Sequence, residues 1–203
     1  MSLTLLGWRR DVASLYAAVR ASQDPRGAHA LWRRGRDALM ASHPDSPVPP
    51  AARPALRGLP YAPYDPALRW TLPLLPADPE DLDVPTGTDG VVGFRRIGRL
   101  ELPDGRGSLD VWWLRQYAGG LFVPLRDATA GRTTYGGGRY LLDTAKGADL
   151  GGDDTHLVVD LNFAYQPSCA YDPAWACPLA PPGNVLTVPV EAGELYDPSA
   201  YGA

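Results

Sequence analysis

A mainly β fold, an antiparallel β-sandwich or partly open β-barrel with an N-terminal helical arm, is what this chain of 203 residues predicts. Three observations lead there. Apolar residues recur at helical spacing only in the first 42 or so positions, and from about residue 59 the pattern turns to alternation. Glycine and proline, 22 of each, then break the chain into short apolar runs. Between two of those runs, "LPDGRG" carries the Asp-Gly signal of a tight hairpin.

Trp8, Val12, Leu15, Tyr16 and Val19 fall on one stripe of a first amphipathic helix. A second helix is expected from Asp24, with Pro25 at the first helical position, where its missing N–H is harmless. Ala28, Leu31, Trp32 and Leu39 make its apolar face, and the pair is expected to pack through Trp8, Leu15, Leu31 and Trp32. Residues 1–45 are thus an arm, and 46–203 form the antiparallel β domain, with the Pro-rich stretch 44–66 wrapping from one to the other. Seven strands are predicted: "LRWTLPLL", "VVGFRRIGRLEL", "SLDVWWLRQY", "GLFVPLRD", "TTYGGGRYLLD", "HLVVDLNFAY" and "NVLTVPVEA". Alternation along "HLVVDLNFAY" puts His156, Asp160 and Asn162 on a polar face. The three glycines of "TYGGGRY" mark a bulge or a close backbone approach, since no strand–helix context for a phosphate loop surrounds them.

The formal charge of −4 conceals an uneven distribution. Residues 1–60 hold nine Arg and four Asp, whereas the remainder holds ten basic and nineteen acidic residues. A basic arm could contact an acidic partner, yet eighteen of the nineteen basic residues are Arg, a bias that G+C-rich coding produces unaided, so nucleic acid is not the expected partner. The start of the chain lacks the charge-then-apolar order of a secretory signal, and no run approaches the ~18 apolar residues of a membrane span. A soluble cytoplasmic protein is expected, with Cys169 and Cys177 as thiols. The seven residues between them exceed zinc-knuckle spacing, so neither metal nor cofactor is predicted.

"LRDATAGRTTYGGGRYL" at 125–141 and "VVDLNFAYQPSCAYDPAWACPLAPPGNVLTVPVEAGE" at 158–194 resemble a bacterial family catalogued as a domain of unknown function, number 1684. "LWRRGRDALMASHPDSPVP" and "LRGLPYAPYD" extend the resemblance, more weakly, into the first half. "VVDLN" stands where an Asp-Phe-Asn is expected, and Gln166 where an Asn is common. The resemblance lends no activity. By motif match it points to Asp127, Thr129, Tyr135, Arg139 and Tyr140, to Asp160 and Asn162, and to Cys169, Tyr171, Cys177, Asn184 and Glu194.

Arg139, Asp160 and Asn162 are the sharpest group. An Arg fork facing a carboxylate is either a buried structural pair or a grip for a carboxylate or phosphate. Asp160 and Glu194 are the candidate catalytic carboxylates, a general acid and base. The loop carrying both cysteines, stiffened by prolines, is a lid over the polar face or a plug at one end of the sheets. A Cys169–His156 dyad is the catalytic alternative to two buried thiols. The leading expectation is a protein binding a small polar or anionic molecule through Arg139, Tyr140, Asp160, Asn162, Tyr171, Cys169 and Asn184. The alternatives are a hydrolase or isomerase using Asp160 or Glu194 with Arg139, and an interaction module working through the basic arm.

Overall fold

A computed structural model describes residues 3–86 and 90–201. Two helices open it, α1 (Leu3–Ala21) and α2 (Pro25–Ser42). Asp24 caps α2 by accepting from Arg26 N at 3.1 Å, and Pro25 follows in the first turn, as its sequence predicts. Seven strands follow: β1 (Arg69–Pro73), β2 (Asp81–Thr86), β3 (Gly90–Leu102), β4 (Gly107–Leu114), β5 (Leu121–Leu125), β6 (Arg139–Asp143) and β7 (His156–Asp160). Strands β2 to β6 form an antiparallel meander in sequence order, and β1 pairs with β7 in a second, two-stranded sheet. Leu75, two residues past the end of β1, and Arg99 on β3 exchange backbone hydrogen bonds of 2.9 Å, which link the two sheets. Among the described residues β2 and β6 do not pair, so the fold is an open β-sandwich with an N-terminal helical arm and not a closed barrel.

The β3–β4 hairpin turns at Asp104 and Gly105, with φ of 60° and 66°, the left-handed pair that a two-residue turn requires. Along β3 a bulge leaves Ile97 without a partner, which lets Arg96 and Arg99 both reach Asp110 on β4, at 3.0 and 2.8 Å. Gly138, at φ +88°, ends the Tyr135–Gly138 turn, and a Cβ there would sit 2.5 Å from Leu125 O on the adjacent strand. The glycine run is therefore a turn with one close approach. It shortens the expected strand "TTYGGGRYLLD" to Arg139–Asp143.

Two other strand expectations change. "HLVVDLNFAY" leaves extended geometry at Asp160, whose side chain caps a 3-10 turn over Leu161–Phe163, so Asn162 is on a turn and not on a strand face. Among the described residues "NVLTVPVEA" forms no strand; it bridges Arg126 at Val185 and bonds to the backbone of Arg126 and Ala128. Pro189 interrupts its donors, and side chains supply the bonds that a ladder would have made.

One apolar core runs through all layers: Tyr16, Val19 and Trp32 from the helices meet Leu100, Leu109, Val123, Leu141 and Val159 from the sheets. The helix pair docks as predicted through Trp32, with Leu15 and Trp8 half-buried, but Leu31 is exposed and its expected place is taken by Ala28 and His29. Phe163, Trp32, Tyr61 and Tyr64 surround the His29 ring at 5.1 to 6.5 Å. Its Nε2 lies 3.0 Å from Asn162 O, so the neutral ring donates there.

Burial moves the His29 pKa down to about 4; the Asn162 carbonyl opposes the shift, and the Arg33 and Arg26 charges add to it. Above the unfolded value of 6.5 the ring is neutral in both states. Between 6.5 and 4 only the unfolded chain takes the proton, so stability falls as pH drops through that window and levels off below it. The contribution is about 3 kcal/mol. Urea unfolding at pH 7.5 and 4.5 should show the wild type losing about 2–3 kcal/mol more than His29→Gln. Equal losses would mean the ring is protonated in place.

Candidate functional site

Arg139 opens β6 and is fully buried. Its Nη1 donates to Ala192 O and, at 3.3 Å, to Glu194 O, while Nη2 donates to Val190 O and to Asp127 Oδ2, both at 2.9 Å. The three carbonyls come from alternate residues of one segment that bends at Gly193, with φ +75°, so a single guanidinium gathers all three. Asp127 completes the pattern by accepting from Val190 N at 3.1 Å and from Thr129 N and Oγ1 at 2.9 and 2.6 Å. Burial pushes the Asp127 carboxyl up, but the Arg139 charge and these hydrogen bonds outweigh it and hold the group below the usual carboxylate range. Arg139 thus faces Asp127 and not Asp160: its two Nη groups bond to the protein's own carbonyls and to that carboxylate, and its buried Nε has no hydrogen-bond partner among the described residues.

Asp160 and Asn162 remain neighbours but form a closed unit. The Asn162 amide donates to Asp160 Oδ1 and Asp65 O and accepts from Asp65 N, each at 2.8 Å. Asp160 Oδ2 meets Arg69 at 3.3 Å and Tyr64 Oη at 3.4 Å. Burial raises the Asp160 pKa against the pull of the Asn162 bonds and Arg69. Asn184 is also used up: it donates to Asp110 O and Pro124 O and accepts from Trp112 Nε1, all at 2.8 Å. Asn162 and Asn184 tie segments together and leave no amide group for a ligand.

The other candidates gather elsewhere, between the helices, β6 and the Pro-rich loop. Glu194 is fully buried, with Arg36 Nη2 and Gln166 N at 2.9 and 3.0 Å from Oε2. Gln166 Nε2, at 3.2 Å, and Tyr171 Oη donate to Oε1. Tyr171 Oη in turn accepts from Arg36 Nη2 at 2.9 Å. Burial works against the Arg36 charge, but Tyr171, Glu194 and Tyr61 outweigh it and keep the guanidinium firmly protonated. The Arg36 guanidinium stacks 4.7 Å from the Tyr165 ring centre, and its buried Nε has no hydrogen-bond partner among the described residues.

Beside this network lies a partly open cavity of about 80 Å³. Trp8, Val12, Tyr16 and Arg36 wall it from the helices, and Tyr140, Asp143, Lys146, Tyr165, Gln166, Ser168 and Tyr171 from the body. Two expected site residues, Tyr140 and Tyr171, are therefore brought together. Arg139, Asp160, Asn162 and Asn184 are not among the lining residues, nor is Glu194, which stands behind Arg36 and Tyr171. Tyr140 Oη donates to Pro178 O at 2.6 Å, anchoring the loop. Lys146 sits at the exposed side, 3.3 Å from Asp143.

Cys169 and Cys177 are free thiols, with Cys169 N donating to Cys177 Sγ at 3.4 Å. His156 instead meets Thr155 Oγ1 at 2.8 Å and Asp153 at 3.5 Å, so the Cys169–His156 dyad is not formed. Trp175, in the same loop, is 42% exposed.

Sequence reasoning passed over Arg36, Asp143, Lys146, Gln166 and Tyr16. A signal for Arg36 existed: it follows Trp32 by one helical turn, placing a charge on a stripe that is otherwise aromatic and apolar. The abundance of Arg in the arm hid it. Asp143 and Lys146 carried no signal, because only the fold brings them beside α1.

No curated protein matches the chain. The solution NMR structure of an uncharacterized protein from Haloarcula marismortui is 37% identical, with a TM-score of 0.58, covering 80% of this chain and 89% of that one. It shares the fold and has no established activity in its description. The model of the family described as "Protein of unknown function (DUF1684)" matches residues 55–195. That span holds β1 to β7, the Arg139 fork, Glu194 and the thiol loop, and the chain belongs to this family.

Proposed function

We propose that the protein binds a small polar acid, with its anionic group in the cavity between the helical arm and β6. The observation that carries this reading is Arg36. Its Nη2 is committed to Glu194 and Tyr171, yet its Nε is a buried, charged donor with no partner, on a residue that lines the cavity. A donor in that condition costs free energy that an incoming carboxylate or phosphate oxygen would recover. Lys146 adds a second positive charge at the exposed side, and the Tyr140 and Tyr165 rings give apolar walls. Asp143 favours a ligand that also carries an N–H or O–H donor, so small hydroxy or amino acids fit better than a bare anion. Water in bulk occupies about 30 Å³ per molecule, so about 80 Å³ admits a head group while the rest of the ligand lies at the mouth.

Catalysis has less support. Each oxygen of Asp160 and Glu194 already accepts at least one hydrogen bond, and neither residue lines the cavity. An interaction role for the basic arm is weakened because Arg26, Arg33 and Arg36 lie 5.2, 4.8 and 4.7 Å from the rings of Tyr64, Tyr61 and Tyr165. Among the described residues no helix is long and apolar enough to cross a membrane.

Thermal unfolding with small hydroxy acids, amino acids and inorganic phosphate tests the proposal. A ligand at 100 times its Kd adds about 2.7 kcal/mol, which raises the midpoint of a chain this size by roughly 5–10 °C. The rise should vanish in Ser168→Phe, which fills the cavity, and shrink in Lys146→Ala. Ligands that stabilise wild type and Ser168→Phe equally would place binding elsewhere and overturn the reading.

A further inference from the structure

We infer that Cys169 and Cys177 form a redox-active dithiol, a site at which hydroperoxides oxidise the protein to an intramolecular disulfide. The inference rests on the loop and is independent of the cavity's ligand. The chain has two cysteines, and the fold returns both to one place. Cys169 lies in the 3-10 turn Ser168–Ala170, and the following turn, closed by Trp175 N bonding to Asp172 O at 3.1 Å, brings the chain back. Cys177 Sγ then accepts from Cys169 N at 3.4 Å. With one N–Cα bond added, the Cys169 Cα lies within about 5 Å of that sulfur, a separation compatible with disulfide closure. Both residues are partly exposed, so an oxidant can reach them.

The surroundings give the two sulfurs different roles. The Cys169 thiol and the Cys169 N–H both donate to Cys177 Sγ and, with the Lys146 charge, hold the Cys177 thiol below its ordinary range, burial opposing them. Cys169 is pushed up, because its proton is held by that bond and by burial, against a hydrogen bond from Tyr135. Cys177 is thus the thiolate nucleophile and Cys169 the resolving thiol. The Cys177 thiolate attacks the peroxide oxygen, the O–O bond breaks, and the departing hydroxide or alkoxide takes a proton, leaving Cys177 as sulfenic acid. The Cys169 sulfur then displaces hydroxide from the Cys177 sulfur, and the hydroxide takes the Cys169 proton. Two thiols and one hydrogen peroxide give one disulfide and two waters. Nothing else is needed.

The full chain, reduced and then exposed to a small excess of hydrogen peroxide, should lose two hydrogens in mass and become resistant to alkylation after denaturation. Cleavage after Tyr171 or Trp175 should leave two peptides joined until a reductant is added. In Cys169→Ser a 1,3-dione should trap sulfenic acid on Cys177, and in Cys177→Ser the remaining thiol should react at least about tenfold more slowly with peroxide. Retention of two alkylatable thiols in the treated wild type would overturn the inference. Linkage only between separate molecules, or sulfenic acid forming faster on Cys169, would overturn it as well.

Discussion

The carboxylate of Glu194 is the constraint around which the rest of the structure is arranged. A charge removed completely from water costs several kcal/mol unless donors surround it. Here the donors come from three separate places: Arg36 on α2, Gln166 beyond β7, and Tyr171 in the Pro-rich loop. The backbone of the same residue is fixed too, with its N–H on Ala164 O and its carbonyl on Arg139. One residue thereby joins the helical arm, the end of the second sheet, the loop and the C-terminal segment.

That junction explains why the cavity lies where it does. Arg36 is drawn inward to neutralise Glu194, and there it lines the cavity with Tyr140, Asp143 and Tyr165, its guanidinium over the Tyr165 ring. The loop is held by Tyr171 on one side of this point and by the Tyr140–Pro178 bond on the other. Cys169 and Cys177 lie close to these anchors and to each other, with the Cys169 N–H on Cys177 Sγ. Prolines flanking the thiol pair, at 167 and 178, and between the two thiols, at 173, reduce the freedom lost when the loop is ordered. The Asp127–Arg139 pair serves a separate purpose, tying Val190 and the residues after it to the start of β6, while the Tyr61–Glu194 bridge holds the far end of that segment.

The general architecture was readable because it depends on short-range signals. Helix α2 announces itself through Asp24 and Pro25, the β3–β4 hairpin through Asp104 and Gly105, and the strands through alternation. Strand β2 was missed because Asp, Asp and Pro dilute its three apolar or β-branched residues. The site was less legible, since alternation says which face a side chain takes but not which partner it meets. Arg139 and Asp160 looked like a pair from their strands, yet Asp127, twelve positions before Arg139, reached the fork first. Of the motif residues, Asp127, Thr129, Arg139, Asp160, Asn162, Asn184 and Glu194 are buried, whereas Tyr135, Cys169 and Cys177 are half-buried. Asn162, Asn184 and Arg139 are there to satisfy backbone groups in segments that lack a regular ladder. Arg36 lay in a stretch that carries the resemblance only weakly, and its importance comes from a contact 158 positions away.

A double-mutant cycle on Arg36 and Glu194, read by urea unfolding at neutral pH, is the most direct test of this account. Arg36→Met leaves a buried carboxylate without its cation, and Glu194→Gln leaves a buried guanidinium without its anion, so each should cost about 3–5 kcal/mol. Arg36→Met with Glu194→Gln removes both charges, and its loss should fall short of the summed single losses by at least about 2 kcal/mol. Losses that add, or single losses below about 1 kcal/mol, would show that the arm and the C-terminal segment are held by apolar packing alone and that Glu194 is not the junction.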